Sequence, residues 1–445
     1  MKLSDFYMEL KNPIYDNENL ERIVETYSNS SNFSEDILRL NSSDDSSSIN
    51  TRDRDSFYLH IYNLWVVSLN SFFRDDSDLS YRDKVRFNKL YWYINDHKPK
   101  CADDVLRLFD PSFVFDEDLK YVLNKYKWNY VDNDGFSHFD YNAISCGFRE
   151  PVIPKHELYV NIDNEASYLF LTHYVNECAK RGKRFYFKFN PNNSNDASCV
   201  IYADDENLFD TIKMINVVFS KDKSLLEHVS KPPVTCSRLS DYIGYGSEVD
   251  YDMYNDSISY NDIRSYILSS NIDKATREWI GDNLDTVVVS ENRQVSYKKH
   301  FMALVYLFKK VKLKNEAYNN RHNSSYKFIT LEDIKSKEFF NRFVSLFDSH
   351  YEAIKEAIVH NKPLSIDINV NGNIININNS DIDVVIRSQA INIYRVDDLF
   401  KRRLKNNIWE DCKRYAVDPS KFSCNRGVYA DFLEMDAKNK TKLKK

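Results

Sequence analysis

Two short runs hold the densest set of groups in this chain that could move protons: Glu157, Tyr159 and Asn161 in one, Arg184, Tyr186 and Lys188 in the other. In a β-strand, successive side chains point to opposite faces, so each alternating triple falls on a single face if its run is a strand. In FYFKF, residues 185–189, Phe185, Phe187 and Phe189 then point into a core and Lys188 emerges opposite. A lysine held beside a tyrosine in a partly dry setting can have its pKa lowered far enough to act as a base. The plainer reading is a solvated sheet face with aromatic and charged cross-strand pairs.

Two further cationic features stand near these runs. KRGKR, residues 180–184, can gather an anion. Lys180 and Arg181 also fall in the last turn of an expected helix, where cations complement the helix dipole, and that reading is favoured. Arg264 lies in a helix after the Gly244-Tyr245-Gly246 loop and either faces a phosphate or is an ordinary surface arginine. The sequence has no P-loop, no dinucleotide G-x-G-x-x-G, no H-E-x-x-H and no nucleophile elbow. VDNDGFSHFDY fails as a calcium loop because tyrosines, Tyr130 and Tyr141, fall at its first and last ligand positions. The ten histidines show no metal-ligand spacing, so neither a metal nor a cofactor is expected.

The elements that must position these residues are legible in outline. Residues 1–150 form an α-helical region: from Ser56 to Lys127 apolar residues recur at three and four positions, with breaks at Pro99 and Pro111. Residues 151–270 form an α+β core. A strand is expected at Leu158–Ile162, with Leu158, Val160 and Ile162 on one face, then an amphipathic helix closed by Gly182. Strands at 185–189 and 198–202 and a helix carrying Leu208, Ile212, Ile215 and Phe219 complete a β-α-β-β-α order. The fold class is therefore α+β, a central antiparallel or mixed sheet with helices on one face, preceded by the α-rich N-terminal region. A short helix is expected around Tyr260–Leu268. Residues 271–445 form a second α+β region with helices near 296–313 and 331–360. Asn371-Gly372 between two alternating runs signals a β-hairpin near 364–378.

Composition narrows the function classes. The 445 residues carry 61 basic and 67 acidic side chains, interspersed, for a net charge of −6, which speaks against a nucleic-acid partner. Only 8 glycines stand against 31 tyrosines, so glycine-rich phosphate loops are scarce. Seven scattered cysteines without a C-x-x-C pair fit a reduced compartment. No apolar run approaches the roughly 18 residues a spanning helix needs, and the N-terminus is too polar for a signal peptide. The expectation is a soluble, cytoplasmic protein without a membrane partner, whose export would need a specialised route.

The ordered set ELYVNI, RFYFKF, DASCVIYADDENL and IGYGSEV followed by SYNDIRSYIL resembles the HopA-type effector family, whose fold is similar to that of the OspF and SpvC phosphothreonine lyases. The resemblance covers residues 150–270. It implies β-elimination of phosphate from phosphorylated Ser or Thr in a peptide or protein, without metal or nucleotide. It also implies a partner kinase that makes the substrate. On it, Lys188 takes the place of the base, Tyr159 stands near the acid, and Arg264 with Arg184 supplies phosphate contacts. Glu157 stands where a phosphate-binding lysine is expected, and Asn161 and Tyr186 share the cleft. Tyrosine in place of the lyases' histidine and glutamate in place of their lysine depart from the lyase pattern and are closer to the HopA branch. A noncatalytic protein-interaction module on the same fold is the alternative.

Overall fold

The computed structural model describes residues 2–39, 51–74, 80–125, 130–133, 136–140, 154–190, 199–248, 259–290, 293–319, 337–370 and 373–426. The chain forms two compact units, each assembled from separated stretches: residues 1–16, 34–264 and 412–445 in the first, 17–33 and 265–411 in the second. The chain thus leaves the first unit twice, between residues 16 and 17 at the start of helix Asn17–Asn29 and between residues 264 and 265 inside helix Tyr260–Asn283.

The first unit is built on a seven-stranded sheet. Its strands are β1 (Tyr130–Asn133), β2 (Phe136–Asp140), β3 (His156–Val160), β4 (Tyr186–Phe189), β5 (Cys199–Ala203), β6 (Ser237–Arg238) and β7 (Gly244–Ser247), in the spatial order β1-β2-β4-β5-β3-β7-β6. Every pairing in it is antiparallel. The fold is α+β, as the pattern of elements implied. β1 and β2 were not expected. They form a hairpin whose register closes Asn133 on Phe136, with Asp134 and Gly135 outside the described residues, and they occupy the segment that fails as a calcium loop.

Alternation decides which side of the sheet is apolar. Leu158, Val160, Phe185, Phe187, Phe189, Ile201 and Tyr245 belong to one buried cluster with residues of helices Thr51–Arg74, Asn164–Lys180 and Leu208–Lys221. Aromatic edges lock this layer: Phe57 meets Phe189 edge-on at 5.5 Å, and Phe139 stacks on Phe187 at 5.4 Å. Helix Asn164–Lys180 begins where Asp163 accepts a bond from the Ala166 amide, and it ends before Gly182, whose φ of 60° is the left-handed conformation that suits glycine at a helix end. Lys180, Arg181 and Lys221 all surround Glu177, so the basic run is largely engaged by its own helix and a neighbouring one.

The second unit packs helix Asn17–Asn29 against Asn379–Val396, with Arg395 bonded to Glu21 and Glu25. Its hairpin pairs Ser365–Val370 with Asn373–Asn378, the register closing Val370 on Asn373. The turn residues Asn371 and Gly372 lie outside the described residues. Among the described residues, no helix is long and apolar enough to cross a membrane.

Candidate functional site

The second face of the sheet carries the polar triples. Lys188 pairs with Val200, Val200 with Tyr159, and Tyr159 with Gly244, so these residues form one cross-strand row on one face. The next row is Tyr186, Tyr202, Glu157 and Gly246. Directly opposed residues in an antiparallel sheet share a face, so Lys188 and Tyr159 flank Val200 about 10 Å apart at the backbone, two strand spacings.

This face is not solvated over β3 and β7, which corrects the plainer expectation for that half. Glu157 and Tyr159 are each 3% exposed. The cover comes from segments distant in sequence. A Cβ built on Gly244 would stand 2.7 Å from Pro232 Cβ and 3.2 Å from Cys236 Cβ, and one on Gly246 would stand 2.8 Å from the Tyr260 ring. Only glycine lets the loop carrying Pro232 and Cys236, and the Tyr260 ring, come so close to β7.

Beneath this cover, Tyr159 donates its hydroxyl to Glu157 Oε2, and its ring lies 5.8 Å from that of Tyr260. Burial, reinforced by the charge of Glu157, raises the Tyr159 pKa well above the phenolic range, so the hydroxyl keeps its proton. Tyr260 donates to Thr235 O at 2.9 Å and is likewise held neutral by burial. The Cys236 thiol beside them is pushed up by burial and then by Glu157, which makes it an inert thiol and not a thiolate nucleophile.

Arg264 is 0% exposed and is no surface arginine, which corrects that alternative. Its guanidinium carbon lies 4.0 Å from the Tyr260 ring centroid, a cation–π contact in a desolvated setting. Nε donates to Phe422 O at 3.4 Å and Nη2 to Asn425 Oδ1 at 2.7 Å, while Nη1 is buried without a partner. The structure thus puts Glu157, Tyr159 and Arg264 on one side of the sheet, linked through Tyr260.

The other candidates lie toward β4. Lys188 is half-buried, with Nζ 5.5 Å from the Tyr202 ring centroid, and Tyr202 stacks on Tyr186 at 4.4 Å. Arg184, Tyr186 and Tyr202 line a shallow cleft with Asp204 and Asn207. The strand order puts β5 and β3 between β4 and β7, so Arg184 is not brought beside Arg264. Asn161 is turned to the backbone, donating to Lys231 O at 3.3 Å, with its own carbonyl accepting from the Ser230 amide.

Sequence reasoning missed four neighbours. His138 faces Lys188 directly in the β2–β4 register, and its signal in the sequence was the Asp134-Gly135 dipeptide. Tyr202 continues the strand at 198–202 and was available by parity. Tyr260 and Asn425 meet the site only through tertiary packing and had no local signal. Among the described residues, no group of three or more His, Cys, Asp or Glu side chains is placed to hold a metal ion. Comparison with protein-family models, with curated proteins and with solved structures returns no match.

Proposed function

We propose that the chain is a lyase-like protein that eliminates phosphate from phosphorylated Ser or Thr in a peptide or protein. The observation that carries this reading is the single row in which Lys188 and Tyr159 flank Val200, with Arg264 on the same side of the sheet. Elimination needs a base for the α-proton, an acid for the departing oxygen and a cation for the phosphate. Lys188 takes the Cα proton onto its amine nitrogen. The electron pair of that C–H bond forms the Cα=Cβ bond, and the Cβ–O bond breaks toward phosphate. On this reading Tyr159, whose hydroxyl carries a proton, supplies it to the leaving oxygen against the resistance of its burial, and Arg264 holds the phosphate charge. On this reading Arg184 and Tyr186, which line the neighbouring cleft, meet the flanking peptide.

The burial of Glu157, Tyr159 and Arg264 favours a second reading, a noncatalytic interaction module in which this cluster is a packed support. One assay separates them. The full chain is incubated with phosphothreonine and phosphoserine peptides, and products are read by mass spectrometry for loss of phosphoric acid and for thiol addition to the new alkene. The lyase reading expects that product, and expects Lys188→Ala to abolish it. Absence of the product, or an unchanged rate in Lys188→Ala, overturns the lyase reading.

A further inference from the structure

Helix Tyr81–Asp96 is seated in the first unit along one side. Phe87, Leu90 and Ile94 enter the apolar core, and the Ser80 hydroxyl caps the first turn by accepting from the Asp83 amide at 3.2 Å. On a second side Arg86 and Lys89 share Asp118 of helix Glu117–Lys125, at 2.9 and 3.2 Å. A helix seated in this way ordinarily turns charged and polar groups to water on the side opposite its core. Here that outward side carries Tyr81, Val85 and Trp92, which are 83%, 42% and 61% exposed, with exposed Asn88 between them.

The spacing gives this row its meaning. Tyr81, Val85, Asn88 and Trp92 are separated by four, three and four residues, the alternation of the two seam positions of a heptad. At about 100° per residue they fall within roughly 60° of one another around the helix. Large side chains in such a row are knobs for another helix, and tryptophan and tyrosine are the residues that most often dominate the binding energy of an interface that buries them. Asn88 is a polar interruption of the kind that fixes register between paired helices at some cost in strength.

The borders of the seam choose its occupant. The positions that flank it are Arg82, Lys84, Lys89 and Tyr91, with Asp96 reversing the sign only past Trp92. Lys89 is only partly neutralised, because the carboxylate it meets also serves Arg86. A second copy of this chain fits poorly. With two such seams overlapped in full, a parallel pair sets Lys84 against Lys89 of the other copy, and an antiparallel pair sets Arg82 against Lys89, so cation meets cation in both. A helix with acidic borders meets attraction at the same points.

We propose that the outward face of helix Tyr81–Asp96 is a docking seam for an amphipathic helix of another protein, one with apolar residues at its own seam and Asp or Glu on its borders. Trp92 and Tyr81 are the anchors, and Arg82, Lys84 and Lys89 select the sign of the partner. The surface stands apart from the lyase reading, since none of its residues has a role there.

The test uses the full chain and two synthetic peptides, three-heptad helices with leucine at the seam and either glutamate or lysine on both borders. Neither peptide pairs with itself, because its borders repel. Binding is read by fluorescence anisotropy of a label on the peptide at physiological ionic strength, and the assembly state of the chain by sedimentation. The glutamate peptide is expected to bind, and the lysine peptide to bind roughly tenfold more weakly or worse. Trp92→Ala, at an exposed position that leaves the core intact, is expected to weaken the glutamate peptide by roughly tenfold or more with Tm unchanged. Arg82→Glu combined with Lys84→Glu should reverse the preference, an outcome that a loosened fold does not produce. Equal binding of the two peptides, no binding of either, or a preference that survives the double reversal overturns the proposal. So does a dimer of the chain that Trp92→Lys dissolves, since a second copy would then be what covers the seam.

Discussion

Removing one oxygen, in Tyr159→Phe, tests the central contact of the candidate site. The phenol donates to Glu157 Oε2, and both residues are 3% exposed, so water cannot readily replace the lost donor. A hydrogen bond to a charged group contributes roughly 1.5–3 kcal/mol net, and a buried acceptor left unsatisfied sits at the upper end of that range. The substitution keeps the ring and its packing on Tyr260, so no cavity term is added. The expected loss is about 2–3 kcal/mol, roughly 4–10 °C in Tm for a unit of this size. Chemical denaturation of the single variants and of the double variant with Glu157→Gln closes a cycle. Glutamine carries no charge to leave unpaired, so in its background Tyr159→Phe should cost less than about 1 kcal/mol. An equal cost in both backgrounds would refute the argument, since it would show that the hydroxyl stabilises the fold by some other contact.

Three further outcomes follow from the same packing. Tyr159, Tyr174, Tyr245 and Tyr260 all have pKa values raised well above 10, chiefly by burial. Their folded pKa values exceed the unfolded one, so their contribution is intact below pH 10 and lost as pH rises above it; absorbance at 295 nm should show them ionising together with unfolding, and their independent titration in the native state would contradict this. Gly246→Ala puts a methyl 2.8 Å from the Tyr260 ring and should cost about 1–3 kcal/mol by overpacking, read by thermal melting. The same variant shifts the platform under Arg264, so it should also weaken phosphate binding; unchanged stability and affinity together would show that Tyr260 has room to move.

Strand parity was readable without the structure because a period of two has only one alternative phase. Phe185, Phe187 and Phe189 could be core only if Lys188 was not, and the β4 register bears this out. Burial of the second face was not readable. Glu157, Tyr159 and Asn161 present the polar alternation of a half-exposed strand, yet β3 sits inside the sheet beneath the segment bearing Pro232 and Cys236 and beneath Tyr260. Those covers lie 70 or more residues away, and only two glycines at β7 mark where they fit. The β1–β2 hairpin was missed although Asp134-Gly135 is a strong turn signal, because YVDN and FSHFD alternate poorly. Helix Tyr260–Asn283 runs well past Leu268 because Ile272, Ala275 and Ile280 continue its buried positions through a stretch that is polar on average.

Glu157 offers the last test, because two opposite charges lie in one buried neighbourhood without pairing. Glu157 is met by the Tyr159 hydroxyl, and Arg264 by two neutral acceptors and the face of Tyr260. A structural ion pair would instead bring the two charges into contact, where each offsets the desolvation of the other. An anion arriving at Arg264 would therefore feel Glu157 as a like charge at close range. Two like charges roughly 10 Å apart at an effective dielectric near 20 repel by about 1–2 kcal/mol. Glu157→Gln removes it while keeping an acceptor for Tyr159, so phosphate affinity should rise roughly tenfold even as the fold loses a little stability. If affinity falls or stays level, the anion does not bind beside Arg264, and the unpaired charges there serve the packing of this face alone.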